Sequence, residues 1–363
     1  MQRRDQVDAH SVGVLTVIMI VSSLIFFFPN LMTGVAGRDA WLVIPAGIPL
    51  IALVVLGWLR IYYLPGLTPL DRAARSPVLR IPTGLLLAAF AVYHAGIVLG
   101  ETVGVMVSIY PETPAVVFHG GLMLAALAPA AYGREVIART AILLAPVMLL
   151  AGLGNLILVI PRNVDVGQLF PILEFGWSRV VAAIPLVAAA TSEAVVLTFY
   201  ADGIRDPNRM NRALPLAAAT CILVLTGATA LDLAVLGPNE TAREVVPTLA
   251  TMRLVRLAPV LARVESLIFS TWLLGIFIKL ALFTYASGLA LRQGLGLSDR
   301  WHTPFRAATA GLAIAVALIL FPDTGRLQYH LLNVWPVVGT AGLLISLALG
   351  LVRPHQQGPG EEA

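Results

Sequence analysis

Apolar runs near or above the roughly 20 residues that cross a bilayer recur along the whole of this chain, and nothing else in the sequence restricts its fold as much. Of its 363 residues, 58% are hydrophobic and 12% charged, about half the charged share of an ordinary soluble domain. Such a chain has too little polar surface to cover itself in water. The expectation is one all-α integral membrane domain of about ten transmembrane helices, at roughly 12–35, 40–60, 81–109, 114–131, 136–160, 179–201, 211–236, 260–291, 305–321 and 328–352. The breaks hold "YYLPGLTP", "YPETP", "IPRNVD", "GIRDPNRM", "LGPNETAR" and "FPDTG", rich in residues that end helices. The first run, Val12 to Phe28 behind Arg3 and Arg4, reads as a span and not as a cleaved leader. No convincing small-residue cleavage site follows it, and the same pattern simply continues.

Charge sets the expected orientation. With the N-terminus in the cytoplasm, 15 arginines fall on that side and 8 on the other, so the arginine bias places both termini there, with 353–363 as a short cytoplasmic tail. The same arginines account for the net charge of +4 without a nucleic-acid partner. The two longest connections, about 61–80 and 237–259, are of linker or short-helix size. There is no phosphate loop, no His/Glu pair at zinc spacing, no paired cysteine and no dinucleotide fingerprint. The chain is therefore not expected to be an enzyme or to carry a cofactor or metal. Cys221 stands alone among apolar neighbours as packing filler. The classes left are a secondary transporter, a channel, a ligand sensor or a structural subunit of a membrane complex.

Polar residues inside spans are costly in lipid and discriminate among these. The first span places Ser22 and Ser23 mid-membrane, followed by Pro29 and Asn30, and the sixth places Pro185 ahead of Thr191, Ser192 and Glu193. If the ten spans form two halves of five, these are corresponding elements, and matched interruptions point to a midplane binding site; hydroxyl pairs also serve simple helix packing. His94 and Glu101 are seven residues apart, about 10 Å along one helical face, and read equally as a proton relay or as interhelical hydrogen bonding. Asp39 and Trp41 read as a helix start and an interfacial anchor. Asp232 reads as a solvated boundary carboxylate, and Asn155 and Asn333 as interhelical glue.

Lys279 is the only lysine, every other basic position being arginine. No other charged residue occurs from Ser266 to Leu291, so the ammonium lies deep in the bilayer. Glu265 is 14 residues away on the same helix, about 21 Å, so the partner comes from another helix. Glu193, Glu101 and free carbonyls of the first helix are the candidates, and Gly275 leaves room for a close approach. A lone lysine, unlike arginine, can give up its proton when desolvated; a fixed structural ion pair is the other reading.

"AGRDAWLVI", with its Asp-Ala-Trp, resembles a signature of the spore germination permeases, the B subunits of germinant receptors. "YPETPAV", "GREVIAR", "TSEAVVLTFY", "VVPTL" and, above all, "RVESLIFSTWLLGIFIK" with Arg263, Glu265, Trp272 and Lys279 are similar to family motifs in the same order over nearly the whole chain. The resemblance implies the amino acid, polyamine and organocation transporter superfamily. It implies a LeuT-like 5+5 inverted repeat, about 12–160 and 179–352, with broken helices 1 and 6. Two departures are the serines where the family commonly has glycine in the first-helix break, and Thr191-Ser192-Glu193 where it usually has Phe-Gly-Glu. A small amino acid or similar solute is expected to meet Ser22, Ser23, Thr191, Ser192 and Glu193, with Lys279 and Glu101 as coupling groups and Lys279 standing where sodium binds in LeuT-like transporters. The resemblance further implies A and C subunit partners and the inner membrane of a spore. A proton-coupled amino acid permease and a ligand-gated ion or water conduit are the alternatives.

Overall fold

The computed structural model describes residues 6–63, 77–254 and 264–351, with the side chains at 63, 77–78, 153–163, 264–268 and 349–351 outside that description. The side chains of Asn155 and Glu265 and the tail 353–363 therefore lie outside that description. Helix dominates: α1 (Ala9–Ala36), α2 (Ala40–Ala46), α3 (Ile48–Tyr63), α4 (Pro77–Ile109), α5 (Ala115–Tyr132), α6 (Arg134–Asn163), α7 (Trp177–Ala182) and α8 (Ile184–Ser192). A 3-10 helix over Glu193–Gly203 continues α8, and then come α9 (Met210–Leu236), α10 (Pro238–Arg243), α11 (Pro247–Arg253), α12 (Val264–Leu295), α13 (His302–Leu320), α14 (Thr324–Asn333) and α15 (Trp335–Leu351). No strand forms among the described residues; one parallel bridge ties Val7 to Ile204.

Eight helical stretches among the described residues are long and apolar enough to cross a membrane, and nine if α14 and α15, bent by 46°, count as one span. The first stretch, Ala9–Tyr62, has 54 residues, far more than one crossing needs. It divides at Gly37, whose φ of 63° lies in the left-handed region that glycine enters without steric cost. Among the described residues each of the ten stretches expected from sequence coincides with helix, with α2 and α3 together, α7, α8 and the 3-10 helix together, and α14 and α15 together each matching one.

The expected break in the first helix is not there. α1 runs unbroken for 28 residues with Pro29 inside it. Its start is fixed by Asp8, whose side chain accepts from the Ser11 N–H at 2.7 Å, the usual service of an N-cap. The sixth span does change, from α-helix to 3-10 winding at Glu193, a tightening found at hinges.

Burial separates centre from periphery. In its most apolar window the stretch Phe269–Leu295 of α12 is 83% buried, whereas Arg134–Gly152 of α6 is 17% buried and turns Leu143, Leu149 and Leu150 outward. In lipid, outward leucines are the stable arrangement. α12 packs against α1, α4, α5, α6 and α13. Close approach needs small residues: a Cβ added at Gly275 of α12 would sit 2.7 Å from the Ser22 Cβ of α1. α1 and α12 therefore touch nearly backbone to backbone beside the two serines.

Candidate functional site

α12 places Lys279 one helical turn beyond Gly275, completely buried. Its Nζ donates to Glu193 Oε2 at 2.5 Å and to Ser23 Oγ at 2.5 Å. One ammonium thus joins three spans: α1 through Ser23, α12 through its own backbone, and the sixth span at the residue where α8 gives way to 3-10 winding. The partner is Glu193, and the contact to the first helix is a serine hydroxyl and not a freed carbonyl. In a low-dielectric interior two charges repay their desolvation only when they are paired and hydrogen-bonded, and this short contact meets that condition.

Glu101 of α4 is buried and near enough to interact electrostatically with both Lys279 and Glu193. Its Oε2 has no hydrogen-bond partner among the described residues. His94, two turns earlier on the same face, donates from Nδ1 to the Phe90 carbonyl at 2.9 Å and stacks on Phe283, one turn past Lys279. Its Nε2 also has no partner among the described residues. Ser22 Oγ and the Trp272 indole N–H are in the same position, and Trp272 stacks on Phe26 of α1 at 4.6 Å between ring centroids. Buried polar atoms normally find partners, so these unpaired donors and acceptors, on the helices that carry or flank the ion pair, mark it as the candidate site.

The other two hydroxyls expected at the site are committed elsewhere. Thr191 Oγ1 donates to the Val187 carbonyl at 2.7 Å and Ser192 Oγ to the Ala189 carbonyl at 2.6 Å. Gly339 of α15 packs against Ser192, where an added Cβ would be 2.9 Å from its Oγ. Thr191 instead lines a cavity of about 40 Å³ with Thr16, Ile20, Ile44, Trp58 and Cys221. That volume has room for a water or a few, and its lining offers no charge to a zwitterion. A larger groove of about 380 Å³, between α4 and α15, is lined by Leu86, Phe90, Tyr93, Val337 and their apolar neighbours and offers no charge to a zwitterion.

Of three further sequence readings, those of Asp232 and Asn333 are corrected and that of Asp39 is extended. Asp232 is not solvated: it is buried, its Oδ2 lies 2.6 Å from Thr248 Oγ1, and its Oδ1 accepts from Thr251 Oγ1 at 2.8 Å. Asp39 does stand at the start of α2, as read, but its carboxylate caps no N–H of that helix; it accepts from the Leu173 N–H at 2.7 Å, and Arg38 beside it pairs with Glu174 at 3.3 Å. The Asp-Ala-Trp stretch thus anchors the 164–176 connection, while Trp41 is half-buried. Asn333 is exposed and donates to the Tyr329 carbonyl of its own helix at 2.8 Å.

Sequence reasoning placed Thr248 only within the VVPTL motif and gave it no role; its hydroxyl also lies 2.7 Å from the Ile25 carbonyl of α1. The signal was present: Pro29 has no N–H, so the carbonyl four residues before it lacks its helical donor. Arg134 was also missed. Its guanidinium pairs with Asp202 and packs on Gly203 at the end of the sixth span, next to the bridge at Val7 and Ile204.

A sequence profile of the family described as spore germination protein matches residues 6–324. Spore germination protein KB of Bacillus subtilis (strain 168) is 23% identical over 289 residues, 78% of this chain and 77% of that protein. Spore germination protein XB of Bacillus anthracis is 23% identical over 257 residues, 69% of this chain and 71% of that protein. The chain belongs to the spore germination protein family.

Proposed function

We propose that this member of the spore germination protein family is the B subunit of a germinant receptor, and that it binds a small amino acid or similar solute where α1, α12 and the sixth span meet. The observation that carries the reading is the Lys279–Glu193 pair bonded to Ser23. A zwitterionic ligand offers the same two charges as that pair. Its ammonium competes with Lys279 for Glu193, and its carboxylate draws the Lys279 ammonium away from Ser23. Exchange of partners at nearly constant charge is cheap, whereas breaking the pair outright is not. Loss of the Ser23 contact uncouples α1 from α12, so ligand occupancy becomes helix movement. Ten spans in two halves of five, LeuT-like, with both termini in the cytoplasm, fit this reading, as do A and C subunit partners in the inner membrane of a spore.

The unpaired Glu101 and His94 beside the pair favour a second reading, a proton-coupled amino acid permease on the same scaffold. Reconstituted full-length protein separates the two. A sensor binds a radiolabelled amino acid at a fixed stoichiometry and does not concentrate it under an inward proton gradient, and Lys279→Met and Glu193→Gln abolish the binding. Accumulation above equilibrium identifies the permease. Absence of binding across amino acids and other small polar solutes removes the site itself.

A further inference from the structure

Thr248 makes two short oxygen contacts, 2.7 Å to the Ile25 carbonyl and 2.6 Å to Asp232 Oδ2. A threonine hydroxyl has one hydrogen to donate. A carbonyl and an ionised carboxylate can only accept, so with Asp232 charged one of the two contacts would hold two oxygens together with no hydrogen between them. With a proton on Asp232 Oδ2, both contacts are satisfied in series. The acid donates to Thr248 Oγ1, and Thr248 donates to the Ile25 carbonyl. Asp232 Oδ1 keeps its role as acceptor from Thr251 at 2.8 Å.

We infer that Asp232 is a proton-binding site, and that its proton, relayed through the Thr248 hydroxyl, completes the α1 hydrogen bond that Pro29 cannot make. Its surroundings fit a neutral acid. Among the described residues Asp232 has no ion-pair partner. The charged groups on the elements packed against this end of α9 are Asp165, Glu240, Arg243 and Arg253, all exposed, and the half-buried Glu244. His10, at the far end of α1, is the only titratable group on that helix.

The consequence follows from position. Ile25 is two residues from Ser23, so the Thr248 contact grips α1 within the same turn as Lys279. When Asp232 loses its proton, Thr248 must donate to the carboxylate, and the Ile25 carbonyl is left without a donor at the Pro29 step, where the helix is already weakest. Thr248 is a positioning residue here, since it acts on α1 and touches neither Lys279 nor Glu193. The proton site does not depend on which solute meets the Lys279–Glu193 pair.

Infrared difference spectroscopy of the full-length protein in nanodiscs tests the assignment. Near neutral pH the wild-type minus Asp232→Asn spectrum should contain the carbonyl band of a protonated carboxyl, sensitive to D2O. Asparagine can donate to Thr248 and accept from Thr251, so this variant mimics the protonated acid permanently. Raising the pH until the band disappears should speed amide exchange over Phe26–Leu31 in the wild type and leave it slow in Asp232→Asn. If the difference spectrum contains only carboxylate bands, the proposal is overturned. Should Asp232→Asn fail to accumulate, Thr248→Val decides: it must shift the protonated-carboxyl band, and a band left in place overturns the relay.

Discussion

Two buried carboxylates hold the first helix within one turn of each other, and they are neutralised by opposite means. Glu193 faces the Lys279 ammonium, which also bonds Ser23. Among the described residues the Asp232 carboxyl meets only the hydroxyls of Thr248 and Thr251, the first of which reaches the Ile25 carbonyl. A cation-neutralised carboxylate can exchange partners with a charged solute. A carboxylate lodged among hydroxyls has no counter-charge to exchange and answers to protons. The same helix is thus clamped by one grip suited to a ligand and another suited to pH.

The largest expected effect breaks the first grip. Lys279→Met leaves Glu193 buried without a counter-ion, which costs on the order of 3–5 kcal/mol in buried pairs, and it should abolish the germination response. Lys279→Arg should rescue poorly, because a planar guanidinium does not fit where one ammonium point contacts two oxygens. The double variant Lys279→Met/Glu193→Gln should recover much of the lost thermal stability in detergent without restoring the response. Full response in Lys279→Arg would make the pair purely structural.

A smaller effect is expected where α1 and α12 touch. Gly275→Val places a side chain against the Ser22 Cβ, 2.7 Å away, and the Met148 Cε, 2.8 Å away, and overpacking of this kind costs about 1–3 kcal/mol. The wedge should weaken the Lys279–Ser23 contact and leave the Asp232 carboxyl signal unchanged. A simultaneous change in both would mean that the two grips act as one unit. Thr248→Val acts on the other side. It leaves the Ile25 carbonyl without a donor, a loss of about 1–3 kcal/mol for a buried polar group, and Thr248→Ser should restore most of it as read by thermal unfolding.

These two grips were unequally legible in the sequence. The helical membrane fold follows from hydropathy because lipid leaves a chain few alternatives. The Lys279 partner could be narrowed to Glu193, Glu101 and first-helix carbonyls, because a buried ammonium needs an acceptor and few are available. Thr191 and Ser192 were expected to turn their hydroxyls to a ligand. A helical hydroxyl can return to its own backbone one turn back as readily as it can face a ligand, and both do so here. Asp232 was misread because its partners arrive from a separate short helix 16 and 19 residues later, a separation that carries no periodic signal. The unbroken α1 has a related cause: Pro29 removes one donor, and Thr248 supplies it from outside. Even so, the Pro29 gap named the carbonyl that needed help, and only the donor was hidden.

The smallest expected effect sharpens the comparison most. Thr251 donates to Asp232 Oδ1 and to no other group among the described residues. Thr251→Val therefore removes one hydrogen bond and preserves the shape of the side chain. If Asp232 carries a proton, Oδ1 is a neutral carbonyl oxygen and the bond is an ordinary one, worth about 0.5–1.5 kcal/mol. A charged carboxylate would instead lose a charge-assisted bond worth about 1.5–3 kcal/mol. Thermal unfolding of Thr251→Val in the wild-type and Asp232→Asn backgrounds measures the difference. With a neutral acid the substitution should cost nearly the same in both, because an asparagine carbonyl and a protonated carboxyl present the same acceptor to Thr251. A cost markedly larger beside aspartate than beside asparagine would mean that Asp232 is ionised, and the contrast between its grip on α1 and that of Glu193 would then lie in the partners alone.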